Sequence, residues 1–189
     1  MIRTTIAALA WTLAFSAGAA EETYSIDPAH SQPQYEVRHL GLTLQRGAFT
    51  KVSGKITLDR VARTGTINVL IDPASVRSSE PRLDDVLKGP SYFNVASSPT
   101  LTFRSSSVRF DGDRVVEVVG DFTMLGVTRP VTLKVDNFTC IENPLSRKPM
   151  CGADATTTIK RSDWGMTRGI PLAPADEVRI SIPVEAYRE

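Results

Sequence analysis

Glu177-Val178-Arg179-Ile180-Ser181-Ile182-Pro183-Val184-Glu185-Ala186 alternates polar and apolar side chains from end to end, the longest clean run of its kind in the sequence. A period of two puts successive side chains on opposite faces, so this segment reads as a strand with one greasy and one wet side. The same signal recurs upstream. Val131, Leu133 and Val135 alternate with Thr132, Lys134 and Asp136; Val116, Val118, Gly120 and Phe122 form another face. Leu101 and Phe103 begin a further strand, Ile67, Val69 and Ile71 another, and Tyr35, Val37 and His39 alternate with Glu36 and Arg38. Strands from Phe49 to Leu58 and from Ala153 to Ile159 bring the expected number to about eight. Turn signals such as Gly65, Asp72-Pro73, Asp111-Gly112-Asp113, Gly126, Pro144 and Pro174 separate them. One segment breaks the pattern: Leu83, Val86 and Leu87 fall at helical spacing before Gly89-Pro90, which predicts a single short helix over roughly 80–89.

Antiparallel strands with one greasy face fold as a sandwich or as a closed barrel, and periodicity does not choose between them. Closure removes edge strands, and eight strands enclose room for packed side chains or for one slender ligand. No repeat and no second domain is visible, so residues 21–189 are expected to form one domain.

Residues 1–20 read as an export signal. Arg3 supplies the positive start, Ile6 to Phe15 is an apolar run too short to span a bilayer, and Ala17-Gly18-Ala19 is a small-residue cleavage pattern. The expected location is therefore the periplasm, without stable membrane insertion. With 22 basic against 21 acidic residues and no basic stripe, the chain is a poor nucleic-acid ligand. In an oxidising compartment Cys140 and Cys151, the only cysteines, are expected to close the hairpin loop between them as a disulfide.

Chemistry-bearing motifs are absent. The sequence holds two histidines, His30 and His39, with no carboxylate or cysteine cluster beside them in sequence and no HExxH pair, so no metal site is expected. His30-Ser31 lacks the Gly-x-Ser-x-Gly elbow of a hydrolase, and Asp84-Asp85 are adjacent and splay apart. What remains is apolar capacity. Besides the strand residues above, the inward candidates are Phe49, Leu87, Tyr92, Phe93, Met124, Trp164 and Met166. By themselves these favour a packed core over a pocket.

Four blocks carry a resemblance. Ile26-Asp27-x-x-His30-Ser31 is followed by Val37-x-His39-x-Gly41, then by Gly120-Asp121-Phe122-Thr123-Met124-x-Gly126-Val127-Thr128-Arg129-Pro130-Val131, and then by Ile159 to Met166. Together they resemble the YceI-like family over nearly all of residues 21–189. The resemblance implies an antiparallel, lipocalin-like eight-stranded barrel with one short helix. It also implies a non-catalytic carrier of a long apolar ligand, a polyisoprenoid (quinone tail or prenyl phosphate) first and a fatty amide or acid second. No cofactor beyond that ligand is implied, and a homodimer is the expected assembly. The ligand-lining set is Tyr35, Val37, Phe49, Ile67, Val69, Leu87, Tyr92, Phe93, Leu101, Phe103, Phe122, Met124, Leu133, Val135, Trp164, Met166, Ile180 and Ile182. His30, Ser31, His39, Asp84 and Arg161 are the candidates for reading a head group at the mouth. The rival reading is an enzyme acting on an isoprenoid or envelope component through His30 and Asp84. The helix departs from the family pattern: Val86 stands for a histidine, and Ser91 and Asn94 for acids.

Overall fold

The computed structural model describes residues 21–189, so the export signal and its cleavage point lie outside the described residues. The strands are β1 (Glu22–Ile26), β2 (Gln34–His39), β3 (Thr43–Phe49), β4 (Val52–Asp59), β5 (Thr64–Ile71), β6 (Val76–Ser78), β7 (Leu101–Asp111), β8 (Arg114–Met124), β9 (Val127–Glu142), β10 (Pro149–Lys160) and β11 (Glu177–Arg188). Helix α1 (Pro81–Lys88) lies between β6 and β7. Every pairing is antiparallel, and β1 pairs β11 to close the ring.

The eleven segments amount to eight long strands. β1 and β2 lie one after the other along the same edge of β11, with Tyr24 opposite Arg188 and Val37 opposite Val178. β3 and β4 follow them in the same way, β3 on β2 and β4 on β1, and β6 and β5 repeat the arrangement on β3 and β4. The result is a closed eight-stranded antiparallel barrel in which three neighbouring strands are each bent once.

Side-chain hydroxyls repair the ladder at the bends. The Ser31 hydroxyl, almost fully buried, donates to the Glu185 carbonyl at 3.1 Å and accepts from the Glu185 N–H at 2.9 Å. Ser75, also buried, accepts from the Lys51 N–H at 3.0 Å and donates to the Asp72 carbonyl at 2.6 Å. A buried amide left without a partner costs about 1–3 kcal/mol, so short hydroxyl side chains are needed where the backbone leaves its neighbour.

Several sequence expectations shift. The strand expected over Phe49 to Leu58 is broken at Thr50-Lys51, with Phe49 ending β3. On β8 it is Val115, not Val116, that is buried with Val118, because Val116 is the extra residue of a bulge between Arg109 and Phe110 of the partner strand. Gly120 is required by close approach: a Cβ there would lie 2.5 Å from both the Arg104 carbonyl and the Phe103 ring. The helix begins at Pro81, capped by the Glu80 carboxylate accepting from the Arg82 N–H at 3.1 Å. Cys140 and Cys151 are opposite one another on β9 and β10 and are disulfide-bonded.

Candidate ligand-binding cavity

At one end of the barrel stand the β2–β3 and β8–β9 hairpins, α1 and the long 161–176 connection; the other end holds the β4–β5, β7–β8 and β9–β10 hairpins. The interior contains two chambers stacked between these ends. The upper one, of about 100 Å³, is bordered by Leu87 of α1, Tyr92 and Phe93 of the following loop, Val37, Met124, Arg161, Met166 and Pro174. The lower one, of about 170 Å³, is bordered by Ile67, Val69, Phe103, Leu133, Val135 and Ile182 among others. Pro33, Phe49, Phe122, Ile159 and Ile180 border both and form a waist. The lining surface of both chambers is entirely apolar. An apolar void of about 150 Å³ stays dry and takes up apolar molecules, so chambers of this size have the chemistry of a hydrocarbon site.

Aromatic edges shape the upper chamber. Phe49 meets Phe93 edge-on with ring centres 5.3 Å apart, and Tyr35 lies 6.2 Å from Phe49. Phe122 meets Trp164 at 5.6 Å, and the Trp164 indole donates to the Phe122 carbonyl at 3.2 Å. Burial, reinforced by the nearby Asp84 charge, pushes the Tyr35 phenol up to about 12, so it stays a neutral hydroxyl.

Most of the apolar expectation is brought together here. Tyr35, Val37, Phe49, Leu87, Tyr92, Phe93, Phe122, Met124, Met166 and Ile180 border the upper chamber; Ile67, Val69, Phe103, Leu133, Val135 and Ile182 border the lower. Leu101 and Trp164 are buried but pack behind the wall. Sequence reading missed Pro33, Gln34, Pro174 and Val178 at the upper chamber and Ile26, Ile56, Phe138 and Val184 at the lower. Val178 and Val184 carried the same alternation as Ile180 and Ile182 and were legible; Pro33 and Pro174 carry no periodic signal.

The polar candidates are scattered, and one of the five borders a chamber. Arg161 does, yet it is a structural hub. Its guanidinium donates to the carbonyls of Ala175 (2.9 Å), Met166 (2.8 Å), Arg168 (2.8 Å) and Pro174 (2.7 Å), binding the 161–176 connection over the mouth. Burial holds its pKa below the usual arginine value, against the opposing pull of Tyr92 and Asp176. Ser31 is spent on the bend described above. Asp84, the buried residue of α1, accepts from the Ser78 N–H at 2.6 Å. Burial works against its ionisation, but the Ser78 hydrogen bonds and the Arg77 and Lys88 charges outweigh it and keep the carboxyl below its ordinary range. His39 is exposed at the end of β2.

His30 is on the outer wall, not at the mouth. Its Nδ1 lies 2.7 Å from Asp27 Oδ2 and 3.9 Å from Glu185 Oε2. The hydrogen bond that its Nδ1–H donates to Asp27, then the Asp27 and Glu185 charges, raise its pKa. A carboxylate pair therefore does accompany His30, contrary to the sequence reading, because the β1–β2 bend sets it against the far end of the chain. Asp27, His30 and Glu185 hold their ligand atoms within 4.8 Å of one another, as a solvent-facing turn anchor. His30 and Asp84 share no site, one lying on the outer wall and the other on the buried face of α1.

Comparison with known proteins adds the following. The YceI-like domain pattern matches residues 24–186. The UPF0312 protein of Pseudomonas aeruginosa is 32% identical over the whole of both chains, and protein YceI of Escherichia coli O157:H7 is 33% identical over 94% of each. Among solved structures, Burkholderia cenocepacia BcnA superposes with a TM-score of 0.72 at 26% identity, covering 85% of this chain and 98% of that one. A polyisoprenoid-binding domain from Saccharophagus degradans, implicated in plant cell wall breakdown, superposes at 0.66 and 18% identity over 88% and 98%.

Proposed function

This chain belongs to the YceI-like family, and on that premise we propose that it is a non-catalytic periplasmic carrier of a long apolar molecule, most specifically a polyisoprenoid. The observation that carries the reading is the pair of stacked chambers with entirely apolar lining, joined at a waist of side chains common to both. A slender chain that threads both would bury its whole length. At ~25 cal/mol per Å², an isoprene unit of roughly 80 Å² contributes ~2 kcal/mol before ordering costs. The S. degradans domain, described as binding polyisoprenoids, supports the ligand class. The export-signal reading of residues 1–20 supports the compartment, and the disulfide accords with it. No described helix is long and apolar enough to cross a membrane.

Native mass spectrometry with organic extraction of protein isolated from the periplasm tests this. Copurifying isoprenoid, or uptake of a polyisoprenoid quinone offered to the stripped protein, is the expected result. Protein that carries no lipid and takes up neither quinone, prenyl phosphate nor fatty acid has a packed core, and the carrier reading falls.

A further inference from the structure

The rim of the upper chamber carries an exposed apolar cluster that the cavity does not use. At the tip of the β2–β3 hairpin Leu40 and Leu42 are 49% and 76% exposed, and Leu172 of the neighbouring connection is 63% exposed. They are held side by side, since the Leu40 N–H donates to the Leu172 carbonyl at 2.7 Å and the Ala175 N–H to the Arg38 carbonyl at 2.8 Å. Leu40 and Gly41 form the turn with φ of 54° and 70°. A turn of this kind favours Asn, Asp or Gly at its first position, and a leucine there is uncommon. The chain thus holds a bulky apolar side chain out in water, in a conformation it disfavours, at the doorway of the cavity.

Charge points to the occupant. Arg38 and Arg168 are exposed on the same rim, and neither has a carboxylate within ion-pairing distance among the described residues. Glu36 is paired with Arg46 and Asp176 accepts from the Ser162 N–H and hydroxyl, while Asp163 and Glu177 stand exposed at the two ends of the connection without a cationic partner among the described residues. At the opposite end Val61 is exposed on one hairpin and Ile141 and Leu145 on another that is not its neighbour in the ring, so the exposed apolar residues there are divided between two sites. A molecule that fits entirely apolar chambers is stored in bilayers, so its carrier must meet one at the mouth.

We propose that the Leu40-Leu42-Leu172 rim, flanked by Arg38 and Arg168, is a docking surface for an anionic lipid bilayer, on which the barrel stands mouth-down to load or release its ligand. This rests on the carrier reading for its purpose but not for its test. The leucines insert at headgroup depth while the arginines meet lipid phosphates, a weak and reversible combination.

The test is flotation of the exported full chain with vesicles of phosphatidylethanolamine and phosphatidylglycerol, against vesicles of phosphatidylcholine alone, at low and high salt. The wild type is expected to float with the anionic vesicles and to lose most of that binding in high salt. Leu42→Asp with Leu172→Asp should lower partitioning at least about tenfold, and Leu42→Ser with Leu172→Ser by less, with thermal melting unchanged in both. Uptake of a polyisoprenoid quinone, a prenyl phosphate and a fluorescent fatty acid without vesicles, measured in parallel, reads the cavity: if all three fail, the carrier reading is lost; if any succeeds without flotation, docking alone is lost. Equal flotation of the wild type and the Asp double variant overturns the proposal. So does a dimer that the double variant dissolves without any vesicle binding, which would make the rim an interface between two copies.

Discussion

Leu133→Trp is expected to shorten the ligands this barrel accepts without abolishing binding. Leu133 borders the lower chamber alone, opposite Val118 on β8, whereas the upper chamber is framed by other residues. An indole there fills space beneath the waist. Each isoprene unit excluded forfeits ~2 kcal/mol of gross burial, of which ordering returns about half, so the net loss is ~1 kcal/mol per unit. If the indole displaces two or three units, long-tailed quinones lose roughly 30- to 150-fold in affinity. Short-tailed analogues that end above the waist change by less than about threefold. Calorimetric titration of quinones with graded tail length measures both, and denaturant unfolding checks the overpacking cost of ~1–3 kcal/mol. A single undivided cavity would lose all tail lengths alike. Equal loss for short and long tails therefore refutes the stacked-chamber argument, as does a larger loss for the short ones.

Arg161→Met strands four carbonyls that the guanidinium now satisfies and should cost ~3–5 kcal/mol, with faster hydrogen exchange across residues 166–175; a loss under about 1 kcal/mol would show that the connection holds itself. Ser31→Ala removes both bonds to the Glu185 backbone and should cost ~1–3 kcal/mol in denaturant unfolding while leaving ligand binding intact; lost head-group selectivity instead would return Ser31 to the site. Cys140→Ser with Cys151→Ser opens a loop of sequence separation 11 and should lower stability by about 2–3 kcal/mol, read by thermal melting with and without reductant on the wild type. Asp84 and Asp176 both titrate below their ordinary value of 3.8, burial being outweighed by hydrogen bonds from Ser78 and Ser162. A depressed carboxyl stabilises the fold above its unfolded value and loses that contribution as pH falls through the folded one. The helix and mouth connection should therefore loosen only in acid below that value, and protection of the Ser78 and Ser162 amides that stays flat there would be contrary evidence.

The barrel wall was largely legible because alternation is a local signal. From Val178 to Ala186 and from Val131 to Val135 the pattern places a side chain on its face with no knowledge of its neighbours. Two kinds of feature were not legible. A bulge such as the one at Val116 shifts the phase by one residue without changing composition, so Val115 looked outward in the sequence and is buried. Long-range polar pairing was the other: nothing near His30 announces Glu185, and nothing near Ser31 announces that its hydroxyl completes a ladder with β11. His30, Ser31 and Asp84 look like site residues in sequence because each falls at a strand end or on the helix expected to border the opening. The polarity of Ser31 and Asp84 is consumed by the backbone, and that of His30 by the Asp27 and Glu185 carboxylates.

The location of the bends explains why the cavity divides where it does. The three broken strands are neighbours, and their breaks lie at one level: Pro33 closes the first, Phe49 precedes the second, and Ile71 precedes the third. Pro33 and Phe49 are also waist residues, and the Phe49 N–H donates to the Pro33 carbonyl at 2.9 Å. Above that level β6 pairs only with β3, and α1 and the loop bearing Tyr92 and Phe93 occupy the side where the wall leaves β7. The lower chamber is thus enclosed by a regular ring, which fixes its width but reads no chemistry. The upper chamber is enclosed partly by a helix and loops, and it is there that Gln34, Tyr35, Tyr92 and Arg161 border the space. Since the serines at the bends spend their polarity on the wall, the carrier reading assigns affinity to the ring and selectivity to the helix-covered end. The carrier reading therefore predicts that substitutions in α1 and its following loop alter head-group preference and leave tail-length preference unchanged.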